Sequence, residues 1–264
     1  MPHVQSQDGT RIAYDTFGRG PTLIYINGAL SHRKFAPIKT NAETFAAHFT
    51  VYCYDRRGRG DSSDTPPYAV AREIEDIAAL INISGGPVYL YGHSSGATLA
   101  LEAALSLGNR VSKLALYEPP YSEDEAAQSE ALEFTAQLKQ LLADNQRGSA
   151  LELWLQGTGM PQEIVTEMRA SPEWSTLESL APTLVYDATL TASLPPVARL
   201  GKLSTPTLIM VGEQSFSFMA NVAQTLCAAI PLARYHLLSG QGHTASPETV
   251  TPLLVEFFSG SQAS

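Results

Sequence analysis

An apolar run, Val88-Tyr89-Leu90-Tyr91, leads straight into Gly92-His93-Ser94-Ser95-Gly96, and a helical pattern from Ala97 to Leu107 follows. Strand, sharp turn and helix in that order put the hydroxyl of Ser94 at the end of a buried strand, above a helix N-terminus. That is the context a G-x-S-x-G motif requires. Glycines at 92 and 96 suit a turn so tight that the serine backbone is strained and neighbouring backbone comes close. The chemistry on offer is nucleophilic. A serine hydroxyl is a poor nucleophile near neutral pH and needs a base within hydrogen-bond reach. An imidazole serves, because its pKa lies near the working pH. A carboxylate on the far side of the ring makes the imidazole present the correct nitrogen. Attack on a carbonyl builds negative charge on oxygen, which backbone N–H groups can meet. The plainer reading of Ser94 is a structural turn serine.

Such a turn needs a sheet behind it, and the chain supplies alternating strands and helices. His3–Gln7 and Arg11–Thr16 flank the turn pair Asp8-Gly9 and read as a hairpin. Thr22-Leu23-Ile24-Tyr25-Ile26 is a continuous apolar run, as expected for a strand covered on both faces. A helix is predicted over 36–48, with Ala36, Ile38, Phe45 and Ala46 as its apolar positions. Val51–Tyr54 reads as the next strand. It runs into a turn-rich loop, Asp55-Arg56-Arg57-Gly58-Arg59-Gly60-Asp61-Ser62. The spacing of Ile74, Ile77, Ala78 and Ile81 predicts a helix over 69–83. Val111–Tyr117 is another apolar strand and ends at Glu118-Pro119-Pro120. Later strands are predicted at Thr207–Val211 and Ala233–Leu238, and helices at 217–230 and Pro247–Phe258. Between about 122 and 198 there is no strong strand signal, and helical patterns alternate with Gly and Pro. The expected architecture is α/β: a doubly wound, mostly parallel sheet. Its core spans 1–121 and 199–264, with an inserted helical lid over 122–198.

Composition narrows the function classes. Among 264 residues there are 17 basic and 26 acidic ones, a net charge of −9, and nothing forms a basic stripe. That argues against nucleic acid and polyanionic substrates as partners. From 122 to 200 there are 12 acidic against 4 basic residues, so much of the charge sits in the inserted region. Hydrophobic residues make up 44 %, enough for a substantial core in one large domain. Cys53 and Cys227 lie far apart with no metal-ligand spacing, and Cys53 sits inside an apolar strand, so a buried free thiol is expected there. No apolar run approaches a membrane span, and the N-terminus has no basic-then-apolar signal pattern. A reduced, cytoplasmic protein without a membrane partner, monomer or homodimer, is the expectation.

Taken together, Gly92-His93-Ser94-Ser95-Gly96, Asp55–Ser62 and Gly240-Gln241-Gly242-His243 resemble the α/β-hydrolase superfamily, in the superfamily's order and over essentially the whole chain. The resemblance implies Ser94 as nucleophile and His243 as base. It implies an oxyanion hole from the backbone N–H groups of Ala29 and Ser95. It implies no metal and no organic cofactor. Two departures stand out. Asn27 occupies the position before the oxyanion glycine where histidine is usual. Ser215 occupies the usual place of the acid, three residues after Gly212, and cannot carry the charge. The superfamily's other location for the acid is the end of the strand after the nucleophile helix, where Glu118 sits. A glutamate there is shared with haloalkane dehalogenases and zearalenone lactonase-type enzymes. The dehalogenases and the related epoxide hydrolases use an aspartate nucleophile, so Ser94 matches the lactonase type. Glu213 and Asp187 are the competing carboxylates.

Other features have structural readings beside the functional ones. His93 suits packing or a structural hydrogen bond, and the arginine-rich 55–62 loop suits buried ion pairs that brace neighbouring loops. Phe134, Trp154, Met160, Met168 and Trp174 suit the lid's own core, with some of them facing the cleft. Leu30, Tyr121, Trp154, Trp174 and Phe216 are the candidate substrate-binding residues. The expected activity is hydrolysis of a carboxylic ester or lactone of a neutral, largely apolar small molecule through an acyl-serine. The alternatives are a carbon–carbon bond hydrolase acting on a diketone, and a hydrolase-derived ligand receptor with little turnover.

Overall fold

A computed structural model describes residues 2–122 and 124–260. In chain order its elements are β1 (His3–Gln5), β2 (Arg11–Phe17), β3 (Thr22–Ile26), α1 (Ala36–Phe45), β4 (Thr50–Tyr54), α2 (Val70–Ser84), β5 (Val88–His93), α3 (Ser95–Leu107) and β6 (Val111–Tyr117). Six helices follow: α4 (Glu125–Ala143), α5 (Arg147–Gly157), α6 (Gln162–Arg169), α7 (Trp174–Leu180), α8 (Leu184–Thr191) and α9 (Val197–Leu200). The chain closes with β7 (Thr207–Gly212), α10 (Ser217–Ala229), β8 (Ala233–Leu238) and α11 (Pro247–Ser259).

The strands make one eight-stranded sheet in the order β1-β2-β4-β3-β5-β6-β7-β8. The β1–β2 and β2–β4 pairs are antiparallel, and the rest of the sheet is parallel. The apolar run of β3 is explained by burial on both faces. Leu23 and Tyr25 pack with Ile38 and Phe45 of α1 and Leu254 and Phe258 of α11. Ile24 and Ile26 pack on the other face with Leu80 of α2, Leu99 of α3 and Val222 of α10. Alternate side chains of a strand point to opposite faces, so a strand with both faces covered must be apolar throughout.

The chain order reverses at β3, whose neighbours are β4 on one side and β5 on the other. Connections leave these strands toward opposite sides and open a crevice at their carboxyl ends, the usual place for a site in an open α/β sheet. The segments after β3, β5 and β6 all end there.

Helix boundaries differ from expectation where neighbouring elements impose a turn. Helix α1 stops at Phe45, because the His48 and Phe49 N–H groups turn back onto the Phe45 carbonyl before β4 pairs beside Pro21. Helix α3 begins at Ser95, two residues earlier than its apolar pattern suggests, directly after the β5 turn. The six helices between β6 and β7 carry a smaller apolar cluster of their own. It includes Leu138, Leu151, Val165, Trp174 and Leu184, and Ala29 and Leu30 pack against it. Among the described residues no helix is long and apolar enough to cross a membrane.

Candidate active site

Ser94 connects β5 to α3 with φ 55° and ψ −130°, a conformation that non-glycine residues rarely adopt. Its N–H donates to the carbonyl of Tyr117 at 2.9 Å, and its carbonyl accepts from Ala97 N at 2.7 Å to start the helix. Strain of this kind costs on the order of 1–3 kcal/mol and persists only where the surroundings impose it. Burial of Val88 and Leu90 on the same strand offsets it, at about 2 kcal/mol for each such side chain. The flanking glycines are sterically required. A Cβ on Gly92 would lie 2.4 Å from the carbonyl oxygen of Gly96, and one on Gly96 would lie 2.2 Å from that of Ile26.

His243 and Glu118 continue from Ser94 in one chain of hydrogen bonds. Ser94 Oγ lies 3.2 Å from His243 Nε2, and His243 Nδ1 lies 2.5 Å from Glu118 Oε2. Glu118 is fully buried and also adopts a positive φ, 51°. Its Oε1 accepts the Gly212 N–H at 2.8 Å, and its Oε2 accepts the Ser215 hydroxyl at 2.6 Å. A carboxylate fed by these donors accepts from Nδ1, so the proton sits on Nδ1 and leaves Nε2 free to take the serine's proton.

The loop carrying His243 is held from three strands. The Tyr117 hydroxyl donates to the Gly242 carbonyl. Gln214 N donates to the Gln241 carbonyl at 2.8 Å. His93 Nε2 lies 2.8 Å from the His243 carbonyl, an oxygen that can only accept, so His93 carries its proton on Nε2. Burial, and behind it the proximity of His243, pushes the His93 imidazole down to about 4, so it is neutral at physiological pH. His93 thus serves as a structural donor.

The competing carboxylates have other partners. Glu213 is exposed and accepts from Ser239 Oγ and the Gly240 N–H, which hold it below its ordinary value. Asp187, on α8, is fully buried. It accepts from Arg56 at 2.7 Å, Arg59 at 2.6 Å and Ser95 Oγ at 2.7 Å. Burial opposes its charge, but the guanidinium groups of Arg59 and Arg56 outweigh that effect and keep the carboxyl below the usual carboxylate value. Of the three carboxylates weighed from the sequence, Glu118 is the one that reaches His243.

The arginine-rich loop braces its surroundings by buried ion pairs. Arg56 is bidentate to Glu73, and Arg57 is bidentate to Asp76. Arg33, whose part the sequence reading missed, pairs with Asp55. Also missed was the reach of Arg59, itself paired with Asp187, into the segment that carries Ala29. The Gly28 carbonyl accepts from Arg59 Nη1 at 2.6 Å and from Ser31 Oγ at 2.7 Å. Asn27 turns its side-chain amide nitrogen toward Cys53 Sγ at 4.0 Å, at the edge of hydrogen-bond reach, and its backbone carbonyl accepts from Arg56 Nη1. The residue in the usual histidine position therefore packs into the sheet.

The candidate substrate-binding residues divide. The Phe216 ring lies 5.5 Å from that of His243, and the residue is 41 % exposed. Leu30 is half-buried against the inserted helices and holds a positive φ of 51°. Trp154 is half-buried, 5.9 Å from the Phe134 ring. Trp174 is buried in the apolar cluster of the inserted helices. Tyr121 is buried in the main core with Leu190. The rings of these last two are covered by protein. Ala29 and Ser95 flank Ser94 on the β3 and α3 sides, and Ser95 opens α3, whose first-turn N–H groups lack intrahelical acceptors. Among the described residues no group of three or more His, Cys, Asp or Glu side chains could hold a metal ion.

Comparison with known proteins agrees with this architecture. A family model described as "Alpha/beta hydrolase family" matches residues 23–252. The crystal structure of an alpha/beta hydrolase from Sphaerobacter thermophilus DSM 20745 superposes with a TM-score of 0.86 at 45 % identity, covering 97 % of this chain and 100 % of that one. Two curated relatives match over shorter stretches. N-formylmaleamate deformylase of Pseudomonas putida is 34 % identical over 126 residues, 44 % of either chain. The uncharacterized hydrolase YraK of Bacillus subtilis is 30 % identical over 116 residues, 42 % of either chain. The match therefore spans less than half the length of each curated relative.

Proposed function

From a chain that belongs to the alpha/beta hydrolase family, we propose a serine hydrolase that cleaves a carboxylic ester or lactone of a neutral, largely apolar small molecule. The observation that carries this reading is the unbroken hydrogen-bond chain from Ser94 through His243 to Glu118. Ser94 attacks the carbonyl carbon while His243 Nε2 takes its proton. Glu118 steadies the imidazolium that forms. The N–H groups of Ala29 and Ser95 meet the developing oxyanion, the second reinforced by the dipole of α3. The tetrahedral intermediate collapses, the alkoxide leaves with the proton from His243, and an acyl-serine remains. Water activated by the same imidazole then releases the acid.

The helices from α4 to α9 act as a lid over this crevice. Their apolar cluster reaches Ala29 and Leu30, and Phe216 stands beside the imidazole. Such surroundings favour an apolar acyl or alcohol group over a charged one.

The test is acid release from a panel of esters and lactones of graded size, with Ser94→Ala as control and a fluorophosphonate as label. Turnover that Ser94→Ala abolishes without unfolding, together with label on Ser94, supports the proposal. Folded protein left unlabelled at Ser94 counts against any serine hydrolase. Loss of a ring-cleavage dienol's colour without ester turnover moves the assignment to carbon–carbon bond hydrolysis.

A further inference from the structure

We infer that Arg59 and Asp187 are positioning residues for the oxyanion hole, so that a carboxylate of the inserted helix α8 aims the two N–H groups that would receive the negative charge. The inference rests on the serine-hydrolase reading and adds residues to it that the nucleophile, base and acid do not include.

The peptide between Gly28 and Ala29 carries the first of these N–H groups. A trans peptide is planar, and its C=O and N–H point in opposite directions. The Gly28 carbonyl is held by two donors, Arg59 Nη1 at 2.6 Å and Ser31 Oγ at 2.7 Å. With the oxygen fixed on the arginine side, the N–H of Ala29 must face away from it. Gly28 itself lies against the nucleophile, since a Cβ on it would come within 3.1 Å of Ser94 Cβ and 3.6 Å of Ser94 Oγ. The orientation of this one peptide therefore decides whether an oxyanion formed at Ser94 meets a donor or a carbonyl.

Arg59 is itself fixed by α8 and the turn before it. Its Nη2 donates to Asp187 Oδ2 at 2.6 Å, and its Nε donates to Thr183 Oγ1 at 3.1 Å. The other oxygen of the same carboxylate, Oδ1, accepts the Ser95 hydroxyl at 2.7 Å. Ser95 supplies the second oxyanion N–H. One carboxylate thus ties the Ala29 side to the Ser95 side of the hole. Arg56 completes the cluster by donating to Asp187 Oδ1 at 2.7 Å and pairing with Glu73. The two arginines and two carboxylates balance in charge, and all four are 2 % exposed or less. Salt does not screen such a cluster as it would a surface pair.

A buried ion pair could also act only in folding, so the test uses a ratio that does not depend on how many molecules are competent. A p-nitrophenyl ester and its thionoester, in which sulfur replaces the carbonyl oxygen, are compared in the unaltered protein, Arg59→Lys and Asp187→Asn. Active sites are titrated with a fluorophosphonate. Sulfur is a weak hydrogen-bond acceptor, so the oxo-to-thiono preference reports on the oxyanion donors. Both variants are expected to lose at least about tenfold in kcat on the oxoester, with KM held within about twofold. The oxo-to-thiono ratio is expected to fall by a similar factor. A lower kcat with an unchanged ratio would mean a purely structural role and would overturn the inference, as would an unchanged kcat. If neither variant folds, Thr183→Val, which removes the Arg59 Nε acceptor together with the hydroxyl's own bond to the Leu180 carbonyl, must lower the ratio a few-fold, and an unchanged ratio overturns the inference. An unaltered protein that turns over the oxoester with no preference over the thionoester removes this inference and leaves the hydrolase reading standing. One that hydrolyses neither ester removes both.

Discussion

Glu118 Oε2 lies 2.5 Å from Nδ1 of His243, across 125 positions of sequence. The carboxylate comes from the end of β6, while Ser215, in the turn after β7, donates its hydroxyl to the same oxygen. Substitution should therefore separate the acids in a fixed order. Glu118→Gln keeps the side chain's size but allows the wrong tautomer, and should lower ester turnover by about a hundredfold to ten-thousandfold. Ser215→Ala removes one of several contacts to the carboxylate and should cost about tenfold or less. Glu213→Gln should be nearly silent, since Glu213 bonds to Ser239 and Gly240 at the surface. Steady-state kinetics on one p-nitrophenyl ester checks the order. A Glu213 effect larger than that of Glu118 would reassign the acid.

The turn at Ser94 also makes a steric prediction. Gly96→Ala would drive a Cβ to 2.2 Å from the Ile26 carbonyl, a backbone atom that cannot rotate away. Either α3 lifts off β3 or the turn opens, and the expected loss is at least about 3 kcal/mol of stability. Gly86→Ala is the control. Nothing lies within 4 Å of its added methyl, and its change should stay within about 0.5 kcal/mol. Urea unfolding followed by circular dichroism measures both. Equal stabilities would mean that the glycines do not shape the turn.

The strand–turn–helix at 88–107 was legible because it is local. Apolar periodicity marked the strand and helix, and two glycines marked the close approach. The same holds for β3, whose bounds follow from its continuous apolar run, and for β6, marked by Leu114-Ala115-Leu116-Tyr117. The pairing of Arg56 and Arg59 with Asp187 was not legible, since 131 and 128 positions separate them and no periodicity links a loop to a helix across the sheet. The loop's arginines announced buried ion pairs without naming their partners. The burial of Tyr121 and Trp174 was not legible for a related reason. A large aromatic ring reads alike in sequence whether it faces substrate or a neighbouring helix, and only packing decides between them.

Phe216 is the exposed aromatic ring beside the imidazole, stacked on Phe218 at 6.1 Å. Under the proposed hydrolase reading, the apolar part of a substrate is expected to lie against this ring once its carbonyl meets Ser94. Phe216→Ala should raise KM roughly tenfold for aryl or long-chain esters and much less for acetates, with kcat changed little. A chain-length series of p-nitrophenyl esters checks this. A uniform loss across the series would place the ring's effect on His243 rather than on substrate.

His93 gives a pH dependence of defined sign. Its imidazole titrates near 4 in the folded protein, because burial and the neighbouring His243 disfavour its charged form, and near 6.5 when unfolded. Between those values the unfolded chain binds a proton that the folded chain does not. Stability therefore rises with pH across that window and is complete above about 6.5. As pH falls toward 4 the contribution is lost, by up to about 1.4 kcal/mol per pH unit for this one group. His93→Gln keeps an amide donor for the His243 carbonyl but cannot titrate, so its stability should vary less between pH 4 and 6.5 than that of the unaltered protein. Urea midpoints at half-unit pH steps measure the difference. Parallel curves for the two proteins would mean that His93 takes up its proton as readily folded as unfolded.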